Sequence, residues 1–522
     1  MAIVEAVLAM MAACIALAVL ARFAGLPYAV VLILAGSAIA FIPGLPEVTL
    51  NPELALAFFL PPLLQASAFR TDWPAFRRNL RPILLLALGC VAFTAFFIGW
   101  VARLLMPEMP WAAAIALGAI LAPPDAVAAA AVLQRLNLPR RIVTVLEGES
   151  LVNDASALVI YRFAIAAMAA GSFVPHEAVG SFFLLGLGGI LAGWLVARGT
   201  LWAMARLRDT LLETALSFLA CYAAFLAAEA LHLSGVMAVV TTGIMLGRAQ
   251  HRVFSARTRL EARAVWDFLE FVLTSLIFIL IGLQLNDILG RLGDRGVLEL
   301  TALALVISLA LIVSRFIWVL PAAALPRLIP AVARRDPMPP FSHLVVISWA
   351  GMRGVVSLAA AIALPLNFPE RDLIIFLAFC AILATLVLQG TTLEWLIKRL
   401  GLVQPPHPHG IDPEEAHARH VAATAMLGAI RKRSSDVLYG PIAQDLLAEH
   451  KDRAEHLERV TRGGAAVAAE RAARRAVRLE GLEAARAAIL ALQAEDRLAE
   501  EVLAKLSQEL DFEETRLRNA LG

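Results

Sequence analysis

Apolar runs of about 20 residues recur through the first three quarters of this chain, each long enough to cross a hydrocarbon core of about 30 Å. A chain that is 60% hydrophobic over 522 residues is no ordinary soluble domain, and the runs predict an all-α integral membrane protein. Thirteen transmembrane spans are expected, at about 3–21, 27–43, 52–69, 82–106, 111–134, 144–169, 179–203, 211–231, 234–248, 265–288, 298–324, 341–365 and 372–397. The first lacks a basic leader and a small-residue cleavage site, so it reads as a span, not a signal peptide. Cys14, Cys90, Cys221 and Cys380 lie far apart in apolar segments and read as small packing residues, with no disulfide or metal role.

Arginine sets the orientation, since lysine is absent before Lys398. Alternate loops carry Arg22; Arg70, Arg77, Arg78 and Arg81; Arg135, Arg140 and Arg141; Arg206 and Arg208; Arg248, Arg252, Arg257, Arg259 and Arg263; and Arg327, Arg334 and Arg335. The opposite loops carry only Arg103, Arg291, Arg295 and Arg371. The positive-inside rule makes the first set cytoplasmic, which puts the N-terminus outside and the C-terminus inside and requires an odd number of spans. Residues 1–400 are therefore expected to form the membrane domain and 401–411, with Pro405-Pro406-His407-Pro408-His409-Gly410, a linker. Residues 412–522, rich in Ala, Arg, Glu and Leu, are expected to form a helical cytoplasmic tail divided at Gly463-Gly464.

A weak internal repeat runs through the membrane part. Residues 21–27 resemble 228–234 with Gly36 matching Gly243, and Phe59 to Gln65 resembles Phe278 to Gln284. Spans one to six and eight to thirteen would then be inverted halves, with interrupted helices at equivalent positions five and twelve.

Chemistry concentrates where these spans carry charge, which costs on the order of 2.5–3.5 kcal/mol per residue even on mild insertion scales. Span six contains Gly148-Glu149-Ser150-Leu151-Val152-Asn153-Asp154. Ser150 and Asp154 lie four apart and share a helix face, and Glu149 and Asn153 share another. Carboxylate and hydroxyl oxygens suit a hard monovalent cation, and Asp154 can hold either a cation or a proton. Span five is interrupted at Ala122-Pro123-Pro124-Asp125, where two prolines remove donors and free carbonyls, and Asp125 stands at an N-cap position. Span twelve holds Arg353 between glycines in Gly351-Met352-Arg353-Gly354, and an unpaired guanidinium there needs a carboxylate, for which Glu149 is the expected partner. Arg162, Glu229, Asp267, Glu270 and Arg315 read as charges near span ends or in structural pairs.

At these residues the chain resembles the bacterial monovalent cation/proton antiporters of the sodium/proton exchanger family, which includes the animal plasma-membrane exchangers. The resemblance rests on residues 121–128, 147–161 and 348–365, with Phe58 to Leu64 similar to the family's third helix, and covers about 1–400. It implies an inverted-repeat fold with two crossed, discontinuous helices and a separate dimerisation domain, hence a homodimer. It implies that Asp154 binds the ion and the proton, that Ser150 adds a hydroxyl ligand, and that Pro124 and Asp125 of the broken helix supply further oxygen. Glu149 and Arg353 would form a structural pair, and Asn153 would orient the site. Two departures stand out: many relatives have Thr where this chain has Pro124, and some place an acid in helix three where Gln65 and Ala66 stand.

These features predict a secondary antiporter of the inner membrane, exchanging Na⁺, or Li⁺, for a proton in support of pH and sodium homeostasis. Asn153-Asp154 differs from the Asp-Asp pair of electrogenic relatives, and the membrane part has no lysine to carry a second proton. One titrating carboxylate then predicts electroneutral one-for-one exchange. A K⁺/proton antiporter on the same scaffold is the alternative, and an ion sensor signalling through the tail is a more distant one. No nucleotide loop, resident cofactor, nucleophile triad or nucleic-acid surface is expected. The partners are the cation, the proton, the bilayer and a second copy of the chain.

Overall fold

In the computed structural model, the residues described are 2–42, 52–125, 129, 133, 136, 138–170, 175–207, 209–292, 295–404, 413–436, 439–448, 465–494 and 500–519. Among them the chain is all-helical, without a strand. Two compact units divide it, Met1–Gln404 and Pro405–Gly522. Most of the expected linker, 405–411, lies outside the described residues, as do Gly463-Gly464 and most of the second half of the fifth span.

The first unit runs α1 (Ala2–Ala24), α2 (Tyr28–Ile39), α3 (Pro52–Phe69), α4 (Leu80–Leu105), α5 (Trp111–Leu121), α6 (Arg140–Ala170), α7 (Pro175–Leu207), α8 (Thr210–Ala230), α9 (Gly235–Val253), α10 (Ala256–Leu283), α11 (Val297–Ala324), α12 (Phe341–Trp349), α13 (Val355–Ile362) and α14 (Arg371–Arg399). Among the described residues seven helices are long and apolar enough to cross a bilayer, and Leu8–Ala24, Tyr28–Ile39, Ala57–Phe69 and Trp111–Leu121 are shorter apolar helices. Local chemistry starts several of them. Asp209, Ser234 and Ser255 accept hydrogen bonds from the amides of Leu212, Met237 and Thr258, satisfying first-turn donors of α8, α9 and α10.

Apolar packing falls into two principal clusters. One joins α2, α4, α5, α10, α11 and α14 around Ile33, Ile98, Leu117, Phe278, Ile307 and Phe379. The other joins α3, α8 and α9 around Leu64, Cys221, Ala224 and Val239. Helix α6 contributes to both, through Val145 and Ala157 to the first and Leu151 and Ala155 to the second, so its polar residues sit on the seam.

Small residues bring these helices into backbone contact, the usual means of association where lipid is as apolar as the side chains. A Cβ on Gly118 of α5 would strike the carbonyl of Ala95 in α4, and one on Gly99 would meet the backbone of Ala114 at 3.2 Å. Gly36 of α2 lies against Ile279 and Gly282 of α10, and Gly243 of α9 lies against Gln65 and Ala68 of α3. Helix α4 also contains a π-helical turn at Leu85–Cys90. The wider turn loosens the normal ladder. The Leu85 carbonyl accepts from Trp318 Nε1 at 2.9 Å, and the Ala87 carbonyl accepts from Ser156 Oγ at 2.5 Å.

The second unit contains α15 (Pro413–Arg433), α16 (Ala465–Ala494) and α17 (Glu500–Asn519). Helices α16 and α17 pack together, and Arg486 bridges to Asp511 and Glu514 at 2.6 and 2.9 Å.

Gly118→Val should lower the unfolding temperature of the detergent-purified protein by the equivalent of about 1–3 kcal/mol, because the α4–α5 backbones must separate. Gly199→Ala, where an added Cβ meets nothing within 4 Å, should not lower it, since alanine favours a helix over glycine by about 1 kcal/mol. Equal effects in a thermal unfolding assay would refute the close-packing account.

Candidate ion-binding site

Helix α5 ends at Leu121, the Ala122 amide closes it by donating to the Ala119 carbonyl at 3.3 Å, and the chain then leaves the helix because Pro123 and Pro124 offer no amide proton. A second interruption, Ala350 to Gly354, separates α12 from α13. The two breaks meet. The Asp125 amide donates to the Met352 carbonyl at 2.8 Å, and a guanidinium nitrogen of Arg353 donates to the Ala122 carbonyl. The Arg353 amide donates to Thr385 Oγ1 of α14 at 3.1 Å. A Cβ on Gly354 would collide with the Asp125 carboxylate, so that carboxylate lies at the N-terminal end of α13. Each break thus supplies the charge that the other's helix end favours: a cation beside the C-terminal carbonyls of α5 and an anion beside the first amides of α13. The expected role of Asp125 as cap of its own following half-helix falls on 126–128, outside the described residues.

The expected Glu149–Arg353 pair is replaced by another. Arg315 of α11 grips Glu149 with two parallel bonds, Nη1 to Oε1 at 2.7 Å and Nη2 to Oε2 at 3.0 Å, and Nη2 also donates to the Ile347 carbonyl at 3.0 Å. Both side chains are 1% exposed. Arg315 reaches Glu149 past Gly351, where a Cβ would strike its Cδ. The pair binds α6, α11 and α12 together, while Arg353, fully buried, serves the broken fifth segment. The signal for Arg315 was a lone guanidinium deep in an apolar run, equal in kind to that of Arg353. Sequence spacing alone cannot say which of the two meets the single glutamate.

Asn153 is fully buried and donates from Nδ2 to the Pro124 carbonyl at 2.8 Å, tying α6 to the first break. One lone pair of that carbonyl is therefore committed to Asn153. Ser150 and Asp154, one helical turn apart, face a cavity of about 60 Å³ together with Pro123, Pro124, Asp125 and Gly354. Helix α3 contributes Phe59, Leu63 and Ser67, α10 contributes Thr274, and α13 contributes Ser357. Among the described residues the Asp154 carboxylate, 7% exposed, takes no hydrogen bond or ion pair. Ser357, 1% exposed, has a hydroxyl without a hydrogen-bond partner among the described residues and was missed in the sequence, although it stands three residues after Gly354 in the interrupted span. Gln65 does not line the cavity, and its amide nitrogen donates to the Ser217 carbonyl of α8 at 2.6 Å.

Of the other charges singled out in the spans, Arg162 pairs with Glu229 at 3.2 Å, and Asp267 and Glu270 pair with Arg70 at 3.2 and 2.5 Å, all partly exposed. Two carboxylates, four hydroxyl side chains and the two prolines of the first break therefore line a small space between apolar walls. Such a set of hard oxygens accommodates a dehydrated cation or a proton, and negative charge left there without either is costly.

The profile of the family described as "Sodium/hydrogen exchanger, transmembrane" matches residues 9–399. An uncharacterized Na⁺/H⁺ exchanger of Mycobacterium tuberculosis strain H37Rv is 35% identical over 503 residues, covering 94% of this chain and 91% of its own. The sodium, potassium, lithium and rubidium/H⁺ antiporter of Bacillus subtilis is 36% identical over 66% of this chain and 54% of its own. The Na⁺/H⁺ antiporter ApNhaP of Aphanothece halophytica is 33% identical over 73% of this chain and 71% of its own. Among solved structures, the sodium proton antiporter MjNhaP1 of Methanocaldococcus jannaschii at pH 8 superposes with a TM-score of 0.61 at 19% identity, covering 77% of this chain and 99% of that one, which establishes a shared fold.

Removing one member of the buried pair leaves the other charged and unpaired, so Glu149→Gln should cost about 3–5 kcal/mol and abolish a monodisperse elution profile. Glu229→Gln, in a partly exposed pair, should cost under about 1 kcal/mol. Size-exclusion and thermal unfolding profiles compare the two directly.

Proposed function

From the sodium/hydrogen exchanger family, to which this chain belongs, we propose that it exchanges Na⁺ for H⁺ one for one, both competing for Asp154. The observation that carries the reading is an Asp154 carboxylate without a hydrogen bond or ion pair among the described residues, facing the cavity beside Ser150, Asp125 and the Pro124 carbonyl. Ser357 adds a hydroxyl to the cation's shell. In this reading only Asp154 exchanges its proton, with Asn153 in the next position and the Asp125 carboxylate held at the head of α13, so one proton leaves as one cation binds and the cycle moves no net charge.

The membrane domain of this reading is 1–400, with thirteen spans, joined by a linker at 401–411 to a cytoplasmic tail at 412–522. Residues 1–400 comprise two inverted halves in which α2 corresponds to α9 and α3 to α10. The packing of Gly36 on α10 and of Gly243 on α3 supports this, because each motif of one half docks on the other motif's counterpart. The arginine-rich loops face the cytoplasm, and the protein resides in the inner membrane as a homodimer. Helix α7, with exposed Phe183, Leu187, Leu191 and Trp194, offers the apolar dimerisation face. Regulation of sodium and pH is the physiological consequence.

K⁺ is a second substrate class to be measured, because the Bacillus relative is named for sodium, potassium, lithium and rubidium. In proteoliposomes containing a pH dye, Na⁺ or Li⁺ should drive proton movement that is insensitive to an imposed membrane potential. Strong potential dependence would overturn the stoichiometry, and a response to K⁺ alone would reassign the ion. Asp154→Asn should reduce exchange to background, and retained exchange would remove Asp154 from the site.

Competition for a single carboxylate has a pH signature. The apparent KM for the cation should rise about tenfold for each unit of acidification once the carboxylate is mainly protonated. Ser357→Ala should raise KM with little change in kcat, as expected for a ligand present throughout the cycle. Initial rates over a range of pH and cation concentration test both.

A further inference from the structure

A second cavity, sharing no lining residue with that of Asp154, lies where α4, α6, α11 and α12 begin or end among the basic loops. We propose that it binds the phosphate of an anionic ligand, supplied in the membrane by the headgroup of an anionic phospholipid. Arg81 at the start of α4, Arg141 at the start of α6 and Arg327 just beyond α11 converge on the single carboxylate of Asp336, at 2.7, 2.6 and 2.8 Å. Arg327 also holds the Asp336 backbone carbonyl through Nε at 2.9 Å. Partial burial pushes the Asp336 carboxyl up, but hydrogen bonding and charge from Arg141 and Arg327 outweigh it and hold the group below the ordinary carboxylate range. Asp336 therefore stays anionic, and three guanidiniums against one carboxylate leave two positive charges uncompensated. Among the described residues no other acid pairs with these arginines.

The three arginines and His343 line a cleft of about 50 Å³ whose other walls are apolar, including Leu85, Val319 and Leu344. The Nε of Arg81 is buried and, among the described residues, has no hydrogen-bond partner. A lock on the Asp336 loop accounts for three bonds to the carboxylate. It does not account for the surplus charge, the idle donor or the room beside them. A tetrahedral phosphate has the oxygens and the charge that guanidinium forks favour. The apolar walls below suit an acyl chain, and basic pockets between the ends of membrane helices are where anionic headgroups are retained.

Binding can be read without transport, so this inference stands or falls apart from the exchange reading. The full-length protein in neutral detergent would be titrated with phosphatidylglycerol, phosphatidylcholine, glycerol phosphate or inorganic phosphate. Thermal unfolding and native mass spectrometry report binding. Phosphatidylglycerol should raise the unfolding temperature and be retained, and phosphatidylcholine should do neither. Arg81→Gln should weaken retention about fivefold, the effect of about 1 kcal/mol for one surface arginine. Ala322→Phe fills the cleft without touching an ion pair and should abolish retention, which keeps the test decisive if Arg81→Gln fails to fold. Stabilisation by either soluble phosphate as strong as that by the lipid would support the anion site and assign it to a free phosphate. Equal retention of both lipids, or lipid binding by Ala322→Phe at wild-type affinity, would overturn the proposal.

Discussion

Backbone polar groups in the interior of a bilayer have no water to fall back on, and that requirement organises this molecule. The fifth segment is broken by two prolines and the twelfth by a glycine-flanked arginine, and either break alone would strand carbonyls and amides. Placed against each other they become mutually sufficient. The Asp125 amide meets the Met352 carbonyl, Arg353 meets the Ala122 carbonyl, and the Asp125 carboxylate sits at the head of α13. Asn153 and Thr385 attach this crossing to α6 and α14. The cavity that holds Asp154 is lined by both breaks, through Pro123, Pro124 and Asp125 of one and Gly354 of the other.

Rigidity around that cavity comes from groups that do not line it. Glu149 and Asp154 occupy the same helix five residues apart, yet one is bound bidentately by Arg315 and the other faces the cavity without an ion pair among the described residues. The difference lies in which neighbour each helix face meets: α11 and α12 on one side, the two breaks and α3 on the other. The same helix thus carries one carboxylate held fixed by a guanidinium and one that faces the cavity. The π-helical turn of α4 is accommodated on the same principle, its carbonyls taken by Ser156 and Trp318.

The helical architecture was legible because hydrophobic length is a property of consecutive residues. Helix limits were less so. The run that predicts a span from 265 belongs to a helix beginning at Ala256, since the Ser255 cap and a charged turn extend it beyond the apolar part. The site was legible as far as local chemistry reaches: Ser150 and Asp154 share a face through helical geometry, and Pro123-Pro124 break a helix wherever they stand. Pairings across helices were not. Arg315 and Arg353 look alike from their neighbours in sequence, and the Ser357 hydroxyl is unremarkable until α13 is placed beside the first break.

The sequence by itself determined that this chain is a bundle of membrane-crossing helices, that two of them are interrupted, and that costly carboxylates and guanidiniums lie within them. Those outcomes follow from backbone sterics, from proline's missing donor and from desolvation, all of which act locally. Only the tertiary structure decided which arginine neutralises Glu149, which helix end Asp125 faces, and which hydroxyls line the cavity with Asp154. Those choices depend on distances between residues far apart in the chain. In a low-dielectric interior, Coulomb energy and hydrogen bonding change steeply over a few ångströms, so composition and spacing leave them open.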